Sequence, residues 1–212
     1  MRTKTMIDSI LERFLNDVKN HQLTIHQNNG VYRHLTFKNP ESTHYYFNIT
    51  TYPEYLVITG DMGSLIFSRL TDMFNFFRSD DLRINPSYWS EKIESTGYDA
   101  KLASYSEFDI DIVKKNAQED LNNHLDENDT LSSYYRYELT MEFDEKIMCA
   151  SDEWEIVEAI RNFNCNGFKF VDFWESDPRK YLSSYIWLCY AIVWGIKKFD
   201  EATDVTENEH EQ

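Results

Sequence analysis

The sequence predicts an α+β fold: an N-terminal antiparallel β-meander of about five strands with flanking helices, followed by a mainly helical C-terminal half. Two observations lead to this prediction. Between residues 22 and 70, short runs of alternating apolar and polar residues are separated by turn signals such as Asn29-Gly30 and Pro53. From about residue 106 onwards, apolar residues recur at three- and four-residue spacing, which is typical of amphipathic helices.

The first half is predicted to run from helix to sheet to helix. Residues 5–19 have the spacing of an amphipathic helix. A short helix follows the last strand, with Thr71 as its N-cap, and Asn85-Pro86 begins another. Strands are predicted at residues 22–27, 31–38, 44–52, 55–59 and 64–70, and the last two are joined by the turn Gly60-Asp-Met-Gly63.

The second half is predicted to be largely helical. Ser106-x-x-Asp109 resembles a capping box at the start of a helix. Residues 131–147 are ambiguous, because their aromatic residues alternate as in a strand while their glutamates have helical spacing; a helix is favoured. Further helices are predicted over residues 152–163, with Ser151 as the cap, and over residues 179–200, which are apolar almost all round.

The predicted organisation divides the chain near a change in charge. Residues 1–95 form the meander region, and residues 96–200 form an acidic helical region packed on it as one compact domain. Residues 95–101, which include Gly97, are the best linker candidate. Residues 201–212 are predicted to be a disordered acidic tail.

The negative charge is concentrated in the second half. The net charge is −16; residues 1–100 have 10 basic and 12 acidic side chains, whereas residues 101–212 have 11 and 25, so the halves carry −2 and −14. Such a field repels nucleic-acid phosphates and anionic membranes and attracts basic proteins. We therefore predict no direct contact with nucleic acid or membrane, and a partner that is a basic protein or a nucleic-acid-binding complex.

The acidic residues that would meet such a partner fall into two groups, which together we call the acidic belt. Its functional interpretation is a docking surface; the alternative is a pair of solvated helix faces that serve solubility alone. The belt comprises Glu119, Asp120, Asp126, Glu127 and Asp129 around the end of one predicted helix, and Asp152, Glu153, Glu155 and Glu158 at the start of another.

Catalytic and metal motifs are weak. Asp61 lies in a Gly-Asp-x-Gly segment that superficially resembles an element of metallophosphatases, but the companion motifs are missing and a turn role is favoured. His26, His34 and His44 lie on adjacent predicted strands without a cysteine or carboxylate to complete a metal site. No phosphate-binding loop, nucleophile elbow or zinc-protease motif occurs. The sequence thus predicts no catalytic residue, metal or cofactor.

Two other functions stay open. One is an enzyme or small-ligand binder with a pocket near the Gly60–Gly63 turn, formed by Asp61, Arg69, Arg78 and Trp89. The other is a structural or replication accessory protein that acts by oligomerisation, for which exposed aromatic side chains within residues 168–174 would be the sign.

The cysteines and apolar segments indicate a cytoplasmic protein. Cys149, Cys165 and Cys189 are odd in number and far apart, which favours a reducing compartment without a disulfide framework. The first residues lack the apolar core of a signal peptide. The most apolar stretch, residues 181–196, is too short and too polar to span about 30 Å of hydrocarbon.

Several motifs resemble those of a family of uncharacterised phage and prophage accessory proteins. They are Gly60-Asp-Met-Gly63, Phe67-Ser-Arg69, Asp72-Met-Phe-x-Phe-Phe-Arg78, Asn20-His-Gln-Leu-Thr-Ile25, Gly30-Val-Tyr-Arg-His-Leu35, Ile84-Asn-Pro-x-Tyr-Trp-Ser-Glu-Lys92, Asp172-Phe-Trp-Glu175 and Trp187-x-Cys-Tyr-Ala-Ile-x-Trp-Gly-Ile196. The likeness covers most of the chain except roughly residues 99–152 and the tail. Since small acidic phage proteins are often inhibitors of host defence, the resemblance implies a non-enzymatic anti-CRISPR or anti-restriction protein in the bacterial cytoplasm.

Overall fold

The five predicted strands form one antiparallel sheet. In this computed structural model, which describes residues 6–94, 97–128, 130–175 and 177–210, each strand pairs with the next along the chain. The α+β class and the N-terminal meander are confirmed. The strands are β1 (Gln22–Asn29), β2 (Tyr32–Lys38), β3 (Phe47–Tyr52), β4 (Tyr55–Gly60) and β5 (Gly63–Ser68).

Helices dominate the remainder of the chain. The ambiguous residues 131–147 are helical, as the glutamate spacing predicted, and they end in a π-helix. The elements are α1 (Met6–Val18), α2 (Met73–Phe77), α3 (Pro86–Ser90), α4 (Tyr98–Tyr105), strand β6 (Ser106–Phe108), α5 (Ile110–Glu127), α6 (Ser133–Phe143), the π-helix (Asp144–Met148), α7 (Glu153–Asn162), a 3₁₀ helix (Phe173–Glu175), strand β7 (Arg179–Tyr181) and α8 (Ser183–His210).

The chain divides into two compact units. Unit 1 consists of Met1–Ser106 and Tyr181–Gln212, and unit 2 of Glu107–Lys180. This division differs from the predicted one, because α8 groups with the sheet rather than with the other C-terminal helices. In addition, α8 continues to His210, whereas the sequence predicts a disordered tail from residue 201. The chain enters and leaves unit 2 through β6 and β7, which pair with each other.

The core of unit 1 lies between the sheet and α8. The side chains that β2 to β5 turn to one side are fully or almost fully buried, as their alternation predicts. Gly195 lets α8 approach closely, since a Cβ atom there would lie 2.8 Å from Cδ1 of Ile49. The indole of Trp187 packs edge-on against Phe14 of α1, and its Nε1 donates to Asp17 Oδ2 at 3.0 Å.

An ion pair joins the sheet to α2. Arg33 donates to both carboxylate oxygens of Asp72 at 2.9 and 3.0 Å, and its guanidinium lies 4.3 Å from the ring centre of Phe74. Asp72 is also the N-cap of α2, because its side chain accepts a hydrogen bond from the Phe74 amide. The predicted cap, Thr71, is therefore wrong by one residue.

The core of unit 2 is built from α5, α6, α7 and the aromatic segment that follows α7. Two further caps differ from prediction. Asp109, not Ser106, caps α5, since Ser106 is part of β6. Asp152, not Ser151, caps α7. In both cases an extended aspartate directly before the helix accepts a hydrogen bond from an amide of the first turn. The predicted cap of α3, Asn85, is confirmed.

Candidate functional site

Unit 2 holds most of the net charge. Residues 107–180 contain 19 acidic and 8 basic side chains, a net charge of −11 out of −16. The charge is therefore concentrated in 74 residues, a narrower region than the whole second half. A basic side chain next to a carboxylate cancels part of its electrostatic field. The local partners of these carboxylates therefore determine how strong a negative potential unit 2 presents to solvent.

The first group of the acidic belt lies on α5. Glu119 is exposed and pairs with Lys115 at 3.6 Å. Asp120 is half-buried, and burial together with the nearby charge of Glu119 raises the pKa of its carboxyl group. Asp126 and Glu127 are exposed in the last turn, where the helix dipole disfavours negative charge, and neither has an ion pair among the residues that the structure describes. Asp129 lies outside the described residues.

The second group of the belt begins α7, and most of its members have local structural roles. Asp152 accepts from the Glu155 amide at 2.8 Å, and the Glu155 carboxylate accepts from the amide and hydroxyl of Ser151, each at 2.8 Å. This reciprocal arrangement resembles a capping box, except that the Glu155 carboxylate bonds to Ser151, one residue before the cap, and not to the amide of Asp152. Glu158 pairs with Arg161 at 2.6 Å. Among the described residues of this group, only Glu153 is exposed with neither an ion pair nor a side-chain hydrogen bond.

The alternative pocket residues have separate surroundings. Asp61 lies in the turn before β5 and accepts from the Tyr45 amide, whereas Arg69 follows the other end of β5. A six-residue strand is about 20 Å long, so these two side chains start far apart. Arg78 pairs with Asp200 at 2.8 Å, and Trp89 is buried with its ring edge-on to Phe77.

The histidines of the sheet form a polar pair rather than a complete metal site. His26 and His34 have ring centres 4.9 Å apart. A ring nitrogen of each lies within hydrogen-bond distance of a threonine hydroxyl, Thr36 for His26 and Thr50 for His34. Within the described ranges, no group of three or more His, Cys, Asp or Glu side chains is arranged to hold a metal ion.

The aromatic segment that would mark an oligomer interface is mostly internal. Phe168 and Phe173 are buried in the core of unit 2. Val171 and Trp174 are the exposed apolar members of this segment, at 75% and 41%. The oligomerisation alternative therefore depends on two side chains rather than on the whole run.

One exposed surface in unit 2, on helix α6, is not among the sites predicted from the sequence. Tyr134, Tyr137 and Met141 project from one face of α6 into solvent. A groove of about 480 Å³ is lined by two of them, Tyr137 and Met141. The signal was present, because these residues are spaced three and four apart. In the sequence, however, Tyr137 and Met141 also fall into a strand-like alternation with Leu139 and Phe143, which are buried. The groove is lined by Tyr137, Glu138, Met141, Glu142, Glu145, Asn164, Cys165 and Asn166.

Fold and site together define the class: an α+β protein with a five-stranded sheet, in which residues 107–180 form an acidic helical unit that interrupts the chain of the sheet-containing unit before its last helix. Comparison with models of known families, with curated proteins and with solved structures finds no match for this chain. The resemblance to phage and prophage proteins therefore stays a prediction. Among the described residues, no helix is both long and apolar enough to cross a membrane.

Proposed function

We propose that this protein is a non-enzymatic binding protein whose acidic unit docks onto a basic partner protein. The observation that carries the proposal is the net charge of −11 within the 74 residues of unit 2. A field of one sign raises the rate at which an oppositely charged partner is met and disfavours anionic competitors such as nucleic acids.

The positions of the carboxylates at the helix ends favour a docking role over a role in solubility alone. The carboxylates that begin α7 stabilise that helix, so folding alone accounts for them. Asp126 and Glu127 instead stand at the C-terminal end of α5, where a negative charge costs about 0.3–1 kcal/mol of helix stability. A cationic partner would offset this cost, and solvent does so only in part.

The resemblance to phage accessory proteins narrows the proposal further. On that basis the partner is a nucleic-acid-targeting defence complex of the bacterial host, of the CRISPR or restriction type, whose cationic surface normally meets nucleic acid. The protein then acts by occupying that surface, and it needs neither a metal nor a cofactor.

The first prediction compares two triple variants of equal charge. Reversing Asp126, Glu127 and Glu153 to lysine removes exposed carboxylates of unit 2, and reversing Glu41, Asp80 and Glu94 does the same in unit 1; each change takes the net charge from −16 to −10. At about 0.5 kcal/mol for each lost surface pairing, the unit 2 variant should bind about tenfold more weakly. The unit 1 variant should keep nearly full affinity.

The measurement is the dissociation constant for a purified CRISPR effector complex and for basic host proteins captured by affinity purification, at low and physiological salt. Equal losses in the two triple variants would show that total charge, and not unit 2, determines binding. Thermal unfolding of both variants serves as the check that they are folded.

A further inference from the structure

Helix α6 has apolar side chains on two faces. Leu139 and Phe143 are fully buried in the core of unit 2. Tyr134, Tyr137 and Met141 lie on another face, exposed at 69%, 63% and 52%. A surface helix of a globular protein normally has one apolar stripe, the one that faces its core. The second stripe contributes nothing to that core, and contiguous exposed apolar side chains typically mark a binding surface.

A well-defined turn bounds the groove beside this stripe. Cys165 and Phe168 exchange both backbone hydrogen bonds, at 3.2 and 2.9 Å. Asn166 and Gly167 between them have φ values of 51° and 91°, as a tight hairpin turn with two left-handed residues requires. Asn166 then donates to Glu138 at 3.2 Å, which ties the turn to α6. The wall of the groove is thus set by backbone pairing.

The floor of the groove is negatively charged. Glu138, Glu142 and Glu145 line it at spacings of four and three residues, so the row extends for about 10 Å along the helix. Burial raises the pKa of the Cys165 thiol, and the charges of Glu142 and Glu138 raise it further. Among the described residues, the basic side chain paired with this row is Lys146, which lies 2.5 Å from Glu142 and is half exposed.

The row continues across a change of helix type. The π-helix Asp144–Met148 follows α6 directly and contributes Glu145 to the groove. Segments of π-helix are rare and occur frequently at functional sites. The exposed stripe, the anionic row and the π-helix therefore coincide at one place in unit 2.

We propose that this face of α6, which we call the α6 groove, docks a cationic segment of a partner protein. The inference rests on the proposed function and names its contact site, which differs from the acidic belt. Lysine or arginine side chains of the segment meet Glu138, Glu142 and Glu145. An apolar residue of the same segment covers Met141, and a cation lies over the ring of Tyr137.

Charge complementarity decides the kind of occupant. An apolar or acidic segment would remove three carboxylates from water with Lys146 as the counter-charge of Glu142 alone, which is costly. A second copy of the same face would bring like charges together. A basic segment satisfies the carboxylates and the aromatic ring at once.

The test uses a synthetic peptide of about 15 residues, built from lysine, arginine, leucine and alanine with a basic residue at every third or fourth position. Its dissociation constant is measured by calorimetry with the full-length protein. Tyr137→Ala and Glu142→Gln should each weaken binding about threefold to fivefold, the size of an exposed cation–π or ion-pair contact. The controls are Trp154→Ala, since that ring is 74% exposed outside the groove, and Glu201→Gln, since that carboxylate lies in unit 1, outside both the groove and the acidic belt.

Glu201 is a matched control because it also pairs with a lysine about one turn away. Lys146→Gln frees Glu142 for the peptide, whereas Lys198→Gln frees Glu201. We therefore expect tighter binding for Lys146→Gln, by about threefold, and a smaller change for Lys198→Gln. A structural defect could weaken binding, but it would not tighten it at one site and spare the other.

The outcomes separate the two proposals. Equal effects of groove and control substitutions would overturn the α6 groove and leave the acidic unit as a diffuse docking surface. Failure of the wild-type protein to prefer the basic peptide over a glutamate-containing peptide of the same length would overturn both.

Discussion

Arg33 and Asp72 form an ion pair that is packed against the apolar core and stabilises it. The guanidinium has one face against Phe74 and both outer nitrogens on the carboxylate, so its charge is paired and its flat surface is packed. Burial raises the pKa of Asp72, but the hydrogen bonds from Arg33 and from the Phe74 amide outweigh it, and the pKa lies below its ordinary value. The carboxylate thus favours the folded state.

Substitution of Asp72 separates its two roles. Asp72→Asn keeps an oxygen that can cap α2 but loses the charge opposite Arg33, and should lower the free energy of unfolding by about 1–2 kcal/mol. Asp72→Ala also loses the cap and should cost about 1 kcal/mol more. Urea denaturation measures both. Asp81→Asn, in an exposed pair with Arg83, should cause no measurable change.

The same carboxylate gives a pH dependence. Since the pKa of Asp72 is lower in the folded state, its stabilisation is present at neutral pH and is lost as the pH falls through the folded pKa, below about 4. We expect wild-type stability to fall more steeply than that of Asp72→Asn between about pH 5 and pH 2. Parallel pH profiles of the two proteins would exclude this contribution.

Among the elements, β4 ends in a place where no side chain fits. Gly60 has a φ of 159°, and a Cβ atom there would lie 2.2 Å from the carbonyl oxygen of Tyr46 and 2.8 Å from Cα of Phe47. Both are backbone atoms of the neighbouring strand region, so neither can move without disturbing the pairing of β3 with β4. The turn at Gly30 is different, because its φ is 59° and nothing lies within 4 Å.

This contrast predicts unequal costs for one chemical change. Gly60→Ala should lower the free energy of unfolding by about 3 kcal/mol or more, because the clash is with backbone. Gly30→Ala should cost only about 1 kcal/mol, the price of a left-handed conformation for alanine. Chemical denaturation of the two variants gives the comparison. Similar losses in both would mean that β3 and β4 can separate at little cost.

Elements were predictable where a local pattern determines them. Strands β2 to β5 alternate between buried and exposed residues, and their positions in the sequence analysis agree with the structure to within a few residues. Caps were less certain, because Thr71-Asp72 and Ser151-Asp152 each place two capable residues side by side. The α6 groove was missed for a related reason: a helix with two apolar faces has no clear helical stripe.

At the scale of the whole molecule, long-range contacts decide the organisation. The buried core residues of unit 1 lie within residues 10–93 and 185–199, on both sides of unit 2 along the chain. No local pattern reveals that α8 belongs with a sheet that precedes it by more than a hundred residues. The sequence therefore predicted the five strands of the sheet and most of the longer helices, but not α4, β6 or β7, and it predicted the grouping only in part.

The grouping predicts that unit 2 can be removed. Because β6 and β7 pair, the ends of unit 1 at Ser106 and Tyr181 should be close enough for a linker of about four glycine and serine residues. A chain without residues 107–180 should unfold cooperatively in urea. Truncation after residue 180 should abolish that transition, since α8 supplies buried residues such as Trp187 and Ile192. Circular dichroism distinguishes the two results.

The late position of α8 has a consequence for synthesis. Ser183, the first residue of α8, follows Ser68 by 115 residues. At about 5–20 residues per second, a ribosome therefore needs about 5–25 s to reach the start of α8 after the fifth strand is finished. Throughout that interval the apolar face of the nascent sheet, which includes Phe37 and Phe47, is not yet packed against α8. We therefore expect chaperones to bind nascent chains of this protein most strongly just before translation ends.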